Sequence, residues 1–365
     1  MPDKPLRVLL VVGETTGGIG RHVALVAQHL GRHGIAAAVC GPASALDVIG
    51  DLPGVGKAEL VTSSSRLDAV FRARSRMRRL ARGFDVVHAH GLRAGAIAAA
   101  RRRGQPLLVT WHNAPLMSGP NLFAHSGLER YVARRADLTL GASPDLTDSA
   151  LQAGARKARS TFVVAPPLPP PSRSRDQVRE ELDAAGRSIV LAVGRLQAQK
   201  RFDVLIAAAS RWTGRAGGPL VLIAGDGPDR AALTAQATLT GAPVRLLGAR
   251  TDIADLLAAA DVVALPSMWE ARSLVAQEAL RAGVPLVTTP VGGLPELVGT
   301  ASLLVPVGNV PALGDAIDRV LGDPALATSM AEAGRAQAAT WPSVDDAVAD
   351  LAATYRQLAG HAERR

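Results

Sequence analysis

Two glutamates stand eight positions apart in this 365-residue chain, Glu270 and Glu278, and two cations stand five apart, Arg195 and Lys200. Carboxylates accept hydrogen bonds from hydroxyls, and two cations bridging one loop can hold a diphosphate from both sides. Glu270 falls in a turn after the apolar run AADVVALPS; Glu278 lies about one turn into the helix that follows. The opening N–H groups of that helix, near Ser273 and Leu274, lack intrahelical acceptors and carry the positive end of its dipole. An anion such as a phosphate belongs there. Hydroxyls together with phosphate describe a nucleotide sugar. Taken singly, each of these residues also reads as an ordinary surface charge.

The elements that must position these groups alternate between strand and helix along almost the whole chain. LRVLLVVG, from Leu6, is a continuous apolar strand of the kind found when both faces of a sheet are covered. It runs into ETTGGIGRHV, a glycine-rich loop opening a helix. The loop lacks the third glycine of a dinucleotide fingerprint and is not a Walker loop. VGRLQAQKRFDVLI repeats the strand–loop–helix pattern and carries Arg195 and Lys200 in its loop. After AADVVALPS comes a helix with Leu274, Val275, Ala279 and Ala282 on its apolar face, then the strand VPLVTTP and the loop VGGLPEL. Successive turns of this kind place their loops at the carboxyl ends of parallel strands, the edge where open α/β sheets bind ligands. The proline run PPLPPPS reads as a semi-rigid linker between two halves of similar length.

The stretch from Leu265 to Val298 resembles the donor-binding signature of retaining GT-B glycosyltransferases. It carries Pro266-Ser267, Glu270, Glu278, Gly283-Val284-Pro285 and Gly292-Gly293, and VGRL with Lys200 resembles the same family's cation motif. The resemblance covers nearly the full chain and is specific in the carboxyl half. It implies an α/β chain with two Rossmann-like domains whose parallel sheets face a central cleft. The expected division is an acceptor domain at 1–167, a nucleotide-sugar donor domain at 172–340, and a helix at 341–365 crossing back to the first domain. The implied function is transfer of a hexose from a UDP- or GDP-linked sugar to a hydroxyl acceptor, with retention. Arg195, Lys200 and the helix start at Ser273 and Leu274 would neutralise the leaving diphosphate. Glu278 would accept from the ribose, and Glu270 and His112 would hold the hexose. Gly18 would lie against the donor, and the backbone near Gly248 would receive the base. No cofactor and no metal are expected. The same fold used as a nucleotide-sugar epimerase, or as a non-catalytic binding protein, are the alternatives.

One departure stands out. After the first Glu the family usually has Gly-Phe-Gly, and here stand Ala271-Arg272-Ser273. Alanine is harmless there at negative φ and costly at positive φ, so negative φ is expected at Ala271. Ser273 is expected to cap the following helix. Arg272 is read either as a third cation for the diphosphate or as a solvated charge.

The remaining chemistry is basic. Net charge is +9, carried far more by arginine than lysine, and hydrophobic residues make up 48% against 3% aromatic, so the cores must be aliphatic. The stretch from Arg66 to Arg82 is an arginine-rich helix, with Arg72, Arg74, Arg76, Arg78, Arg79 and Arg82. It reads either as the solvated face of a crossover helix or as a patch for an anionic membrane surface. Nucleic acid is not expected, because no aromatic residues interleave for base stacking. His88 and His90 alternate on one strand and so share a sheet face, but neither Cys nor HExxH accompanies them to suggest zinc. The single Cys40 excludes an intrachain disulfide and reads as an inert core thiol. With no signal-like segment and no long apolar run, the expected location is the cytoplasm, including the inner face of the membrane.

Overall fold

The computed structural model describes residues 5–15, 17–62, 67–114, 120–184 and 186–364. The chain separates into two compact units, Met1–Pro166 together with Pro342–Arg365, and Pro167–Trp341. Each is built on one parallel sheet.

The first sheet contains β1 (Leu6–Val12), β2 (Ile35–Gly41), β3 (Gly56–Glu59), β4 (Val86–His90), β5 (Leu107–Trp111), β6 (Leu138–Gly141) and β7 (Ala158–Ser160). Its order is β3-β2-β1-β4-β5-β6-β7. The second contains β8 (Ile189–Val193), β9 (Leu220–Ala224), β10 (Val244–Gly248), β11 (Val262–Leu265), β12 (Leu286–Thr288) and β13 (Ser302–Leu304), in the order β10-β9-β8-β11-β12-β13. In both sheets the strand order reverses beside the first strand, between β1 and β4 and between β8 and β11. Loops leaving neighbouring strands at such a point diverge to opposite faces and open a crevice at the carboxyl edge.

The strands read as near-continuous apolar runs because both faces are covered. Val8, Leu10, Val12 and Val39 share one core with Val23, Val26 and Leu30 of the helix Gly18–Leu30. That core is completed from far along the chain by Val348, Leu351, Ala352 and Tyr355 of the helix Val344–Glu363. A capping box starts this helix, with the Ser343 side chain accepting from the Asp346 N–H and the Asp346 side chain accepting from the Ser343 N–H. Tyr355 is fully buried, and its hydroxyl lies 2.6 Å from His88 Nδ1 on β4. The second core gathers Val190, Leu205, Ile206, Ile223, Val262 and Ile317 around Phe202 and Trp212.

Past the proline run, Ser172 donates from its backbone and hydroxyl to the buried Asp255, at 2.6 and 2.8 Å. Arg173 pairs with Asp255, Asp252 and Glu181. The chain therefore enters the second unit through a charged clamp. Cys40 is buried on β2, and burial pushes its thiol pKa up to about 12.

The buried Tyr355–His88 contact yields a stability prediction. Tyr355→Phe keeps the ring but leaves a buried imidazole nitrogen without its partner, and should cost about 1–3 kcal/mol. Tyr355→Ala adds a cavity and should cost about 3–5 kcal/mol. Denaturant titration of both variants checks the values and their order.

Candidate active site

In the second unit, the loops after β8 and β11 leave neighbouring strands at the point of reversal. Gly194 and Arg195 follow β8, and a short 3-10 turn, Ala198–Lys200, then leads into the helix Phe202–Ala209. The other loop runs from Pro266 to Ser273. The two are stitched together. The Met268 N–H donates to the Gln199 carbonyl at 2.8 Å, and Gln199 Nε2 donates to the Trp269 carbonyl at 2.6 Å. Across this seam Lys200 Nζ meets Glu270 Oε1 at 2.5 Å, with the two side chains 15% and 8% exposed. Ser267 Oγ donates to the same oxygen at 2.7 Å. Both bonds converge on Oε1, so the remaining acceptor capacity of Glu270 rests on Oε2.

A third loop locks Glu270 from behind. Its carbonyl accepts from the Gly293 N–H at 2.9 Å, and Gly292 lies so close that a Cβ there would meet the Glu270 oxygen at 2.0 Å. Gly292 also has φ +52, in the left-handed region, so glycine is required on two counts. Thr289 Oγ1 donates to the Ser267 carbonyl at 2.7 Å, fixing the same turn.

The helix Leu274–Ala282 opens at Ser273, whose Oγ accepts from the Ala276 N–H at 3.3 Å, the cap expected from the sequence. Ala271 is not among the described residues with positive φ, which is why alanine replaces glycine there without strain. The helix differs from a one-sided amphipathic element. Leu274 through Leu280 are all buried, including Gln277 and Glu278, whereas Ala282 is exposed; the helix Pro324–Ala339 packs against this one. Glu278 is only 3% exposed.

Arg272 departs from the expectation of a solvated charge. Its side chain is 3% exposed, and Nη2 donates to Glu296 Oε1 at 2.8 Å. Glu296 sits in the short helix Leu294–Val298, so this ion pair ties the Glu270 loop to the Gly292 loop. Arg195 is exposed beside this assembly in sequence. Gly248 ends β10 with φ +76, and its carbonyl accepts from the Gly225 N–H at 2.7 Å. Gln199 and Glu296 were not singled out from the sequence, whereas Ser267 was, as part of the Pro266-Ser267 turn. Its bond to Glu270 Oε1, three residues on, was not foreseen.

In the first unit, Gly18 is the exposed first residue of its helix. His112, just past β5, is 7% exposed and belongs to a cluster of four histidines. His90 Nδ1 lies 3.1 Å from His112 Nε2, and the two rings stack with centroids 5.3 Å apart. His22, from the helix after β1, stands edge-on to both at 5.8 Å. His88 and His90 are 4.1 Å apart, confirming that they share a sheet face. Among the described residues no group of three or more His, Cys, Asp or Glu is arranged to hold a metal ion.

Burial lowers the pKa of His22 to about 4, and burial with the His22 charge lowers that of His88 to about 3. Burial, followed by neighbouring histidines, holds His90 and His112 well below the usual value. The cluster is therefore neutral at pH 7.

Both halves of the chain match known families. The family described as "Glycosyltransferase Family 4" matches residues 16–168, and that described as "Glycosyl transferases group 1" matches residues 174–337. An alpha-D-kanosaminyltransferase of Streptomyces kanamyceticus is 31% identical over 79% of this chain and 81% of its own length. The chain is a GT-B glycosyltransferase. A D-inositol 3-phosphate glycosyltransferase of Mycobacterium tuberculosis is 33% identical over 77% of this chain, which spans 64% of that relative's length. Among solved structures, HepE of Anabaena in complex with UDP-glucose superposes with a TM-score of 0.80 at 22% identity. The match covers 96% of this glycosyltransferase and 100% of that chain. Sucrose-phosphate synthase of Thermosynechococcus elongatus gives 0.80 at 21% identity, covering 98% and 100%. At these identities the likeness shows the shared fold.

The buried histidines predict acid sensitivity in the first unit. Their folded pKa values lie below the unfolded value of about 6.5, so their stability is fully present above that pH and is lost as pH falls. Each contributes a slope of up to about 1.4 kcal/mol per pH unit between the two pKa values. The melting temperature should drop from pH 6.5 toward pH 5, and His22→Phe should flatten that drop. Calorimetry across this range checks both.

Proposed function

We propose that this glycosyltransferase moves a hexose from a nucleotide sugar to a hydroxyl acceptor with retention of configuration. The observation that carries this reading is the convergence of Lys200, Glu270 and the Ser273-capped helix start at two adjacent strand ends. Cations, a carboxylate and free N–H groups there match the diphosphate, hydroxyl and phosphate parts of one ligand. Relatives named for kanosaminyl and inositol-phosphate glycosyl transfer, and the HepE complex with UDP-glucose, support the substrate class. Between the uridine and guanosine carriers, that complex favours UDP for the first assay.

In this reading Arg195, Lys200 and the N–H groups at Ser273 and Leu274 stabilise the departing diphosphate. As the sugar C1–phosphate bond breaks, the acceptor oxygen bonds to C1 on the same face and its proton passes to the leaving phosphate. Glu270 positions the hexose through Oε2, Glu278 accepts from the ribose, and His112 meets a sugar oxygen. Gly18 and the backbone at Gly248 border the donor. These cations stand in the place of a divalent ion, so no metal is required. The first unit receives the acceptor and the second holds the donor.

Arg195→Ala is the direct test, because Arg195 is exposed and its loss leaves the Lys200–Glu270 pair intact. Turnover with UDP-glucose, or whichever UDP-sugar proves active, should fall by on the order of 10²-fold while the fold is retained. Wild-type turnover should be unaffected by EDTA. Activity within a few-fold of wild type in Arg195→Ala, or loss in EDTA restored by Mg²⁺, would reject the assignment.

We also propose that the helix Leu67–Ala81 docks on an anionic membrane surface, though with fewer arginines than its sequence suggests. Arg74, half-buried, donates to the Ala96 carbonyl and the Tyr131 hydroxyl and is structural, while the exposed Arg78 also donates to the Ala100 carbonyl. Arg66 lies outside the described residues. Arg72, Arg76, Arg78 and Arg79 are exposed, beside a Phe71 that is 72% exposed. No described helix is long and apolar enough to cross a membrane, so attachment would be peripheral. Sedimentation with phosphatidylserine vesicles should fall steeply with salt and in Arg72→Glu/Arg76→Glu. Absence of binding at low salt would leave the helix a solvated face.

A further inference from the structure

The protonation pattern of the histidine cluster has a consequence for His112. His90 offers two ring nitrogens: Nδ1 lies 3.1 Å from His112 Nε2, and Nε2 is buried without a hydrogen-bond partner among the described residues. A neutral imidazole carries one proton. If His90 held it on Nε2, a buried N–H would lack an acceptor, an arrangement native structures almost never keep; a spare buried lone pair is better tolerated. The proton therefore sits on His90 Nδ1 and is donated to His112 Nε2. With Nε2 accepting, the neutral His112 ring must carry its own proton on Nδ1, since the bond made by one nitrogen sets the state of the other. No hydrogen bond among the described residues uses His112 Nδ1.

We propose that His90 is a positioning residue: it locks His112 as the Nδ1–H tautomer, so that His112 meets the bound sugar only as a neutral hydrogen-bond donor to an oxygen. This rests on the reading that His112 touches the sugar. Held this way, His112 has no lone pair left for a substrate proton and cannot act as a general base; it orients an oxygen instead. His22 stands edge-on to both rings at 5.8 Å.

Long-range ¹H–¹⁵N spectra of the histidine-labelled wild-type protein give the tautomer directly. The expected pattern is a protonated Nδ1 and a bare Nε2 at His112, and the reverse overturns the proposal whatever the activity. His90→Phe removes the donor. It should mix the His112 tautomers and lower kcat for transfer by about 10- to 100-fold, the range usual for lost orienting partners. His90→Asn, whose amide N–H can replace the donor, should restore both the spectrum and most of the rate, and remains informative if His90→Phe folds poorly. An unchanged spectrum and rate in His90→Phe, or no rescue by His90→Asn, would sink the proposal. His112→Ala separates the two levels. If it leaves transfer intact, the assignment of His112 to the sugar fails, while the wild-type spectrum still decides the tautomer.

Discussion

The contact between Lys200 and Glu270 is the constraint on which the donor side of the molecule depends. Two largely buried charges can share a loop seam only if their mutual attraction and added hydrogen bonds offset the loss of water. Ser267 supplies one such bond, and the backbone stitching through Gln199 and Gly293 supplies the rigidity. Removing one partner would strand a buried charge, which typically costs 3–5 kcal/mol. Lys200 and Glu270 thus have two physical duties at once. They hold the loops of β8 and β11 in register, and they present charge where the strand order reverses. Changes at either residue alter shape and electrostatics together.

Much of this was legible in the sequence because its signals are local. A continuous apolar run marks a strand covered on both faces, and the strand–loop–helix rhythm fixes which loops share the carboxyl edge. Glu270, Glu278 and the Ser273 cap lie within one such turn, so their spacing and the resemblance of the whole stretch pointed to them together. The fate of Ala271 was legible too, since it depends only on the sign of one backbone angle.

What escaped depends on partners distant in the chain. Arg272 looked like a third cation or a solvated charge because its partner, Glu296, lies a whole strand and loop away. Glu278 taken singly read as an ordinary surface charge, yet it is buried, on a helix against which another some fifty residues later packs. Arg74 and Arg78 likewise have their acceptors on separate elements of the first unit. His22 carried no local signal at all. Only the return of the strand order beside β1 brings it to His90 and His112.

The helix Val344–Glu363, which closes the first core through Leu351 and Tyr355, sets the order in which the protein can be completed on the ribosome. Domains usually mature in the order they emerge. Here the amino-terminal sheet leaves the exit tunnel first but must wait with an unsealed apolar face until the whole of Pro167–Trp341 has been translated. The later unit is continuous in sequence and has no such wait. At about 5–20 residues per second, the first-born sheet stays open for on the order of ten to forty seconds. Over that interval its exposed valines and leucines are a natural client surface for a holding chaperone.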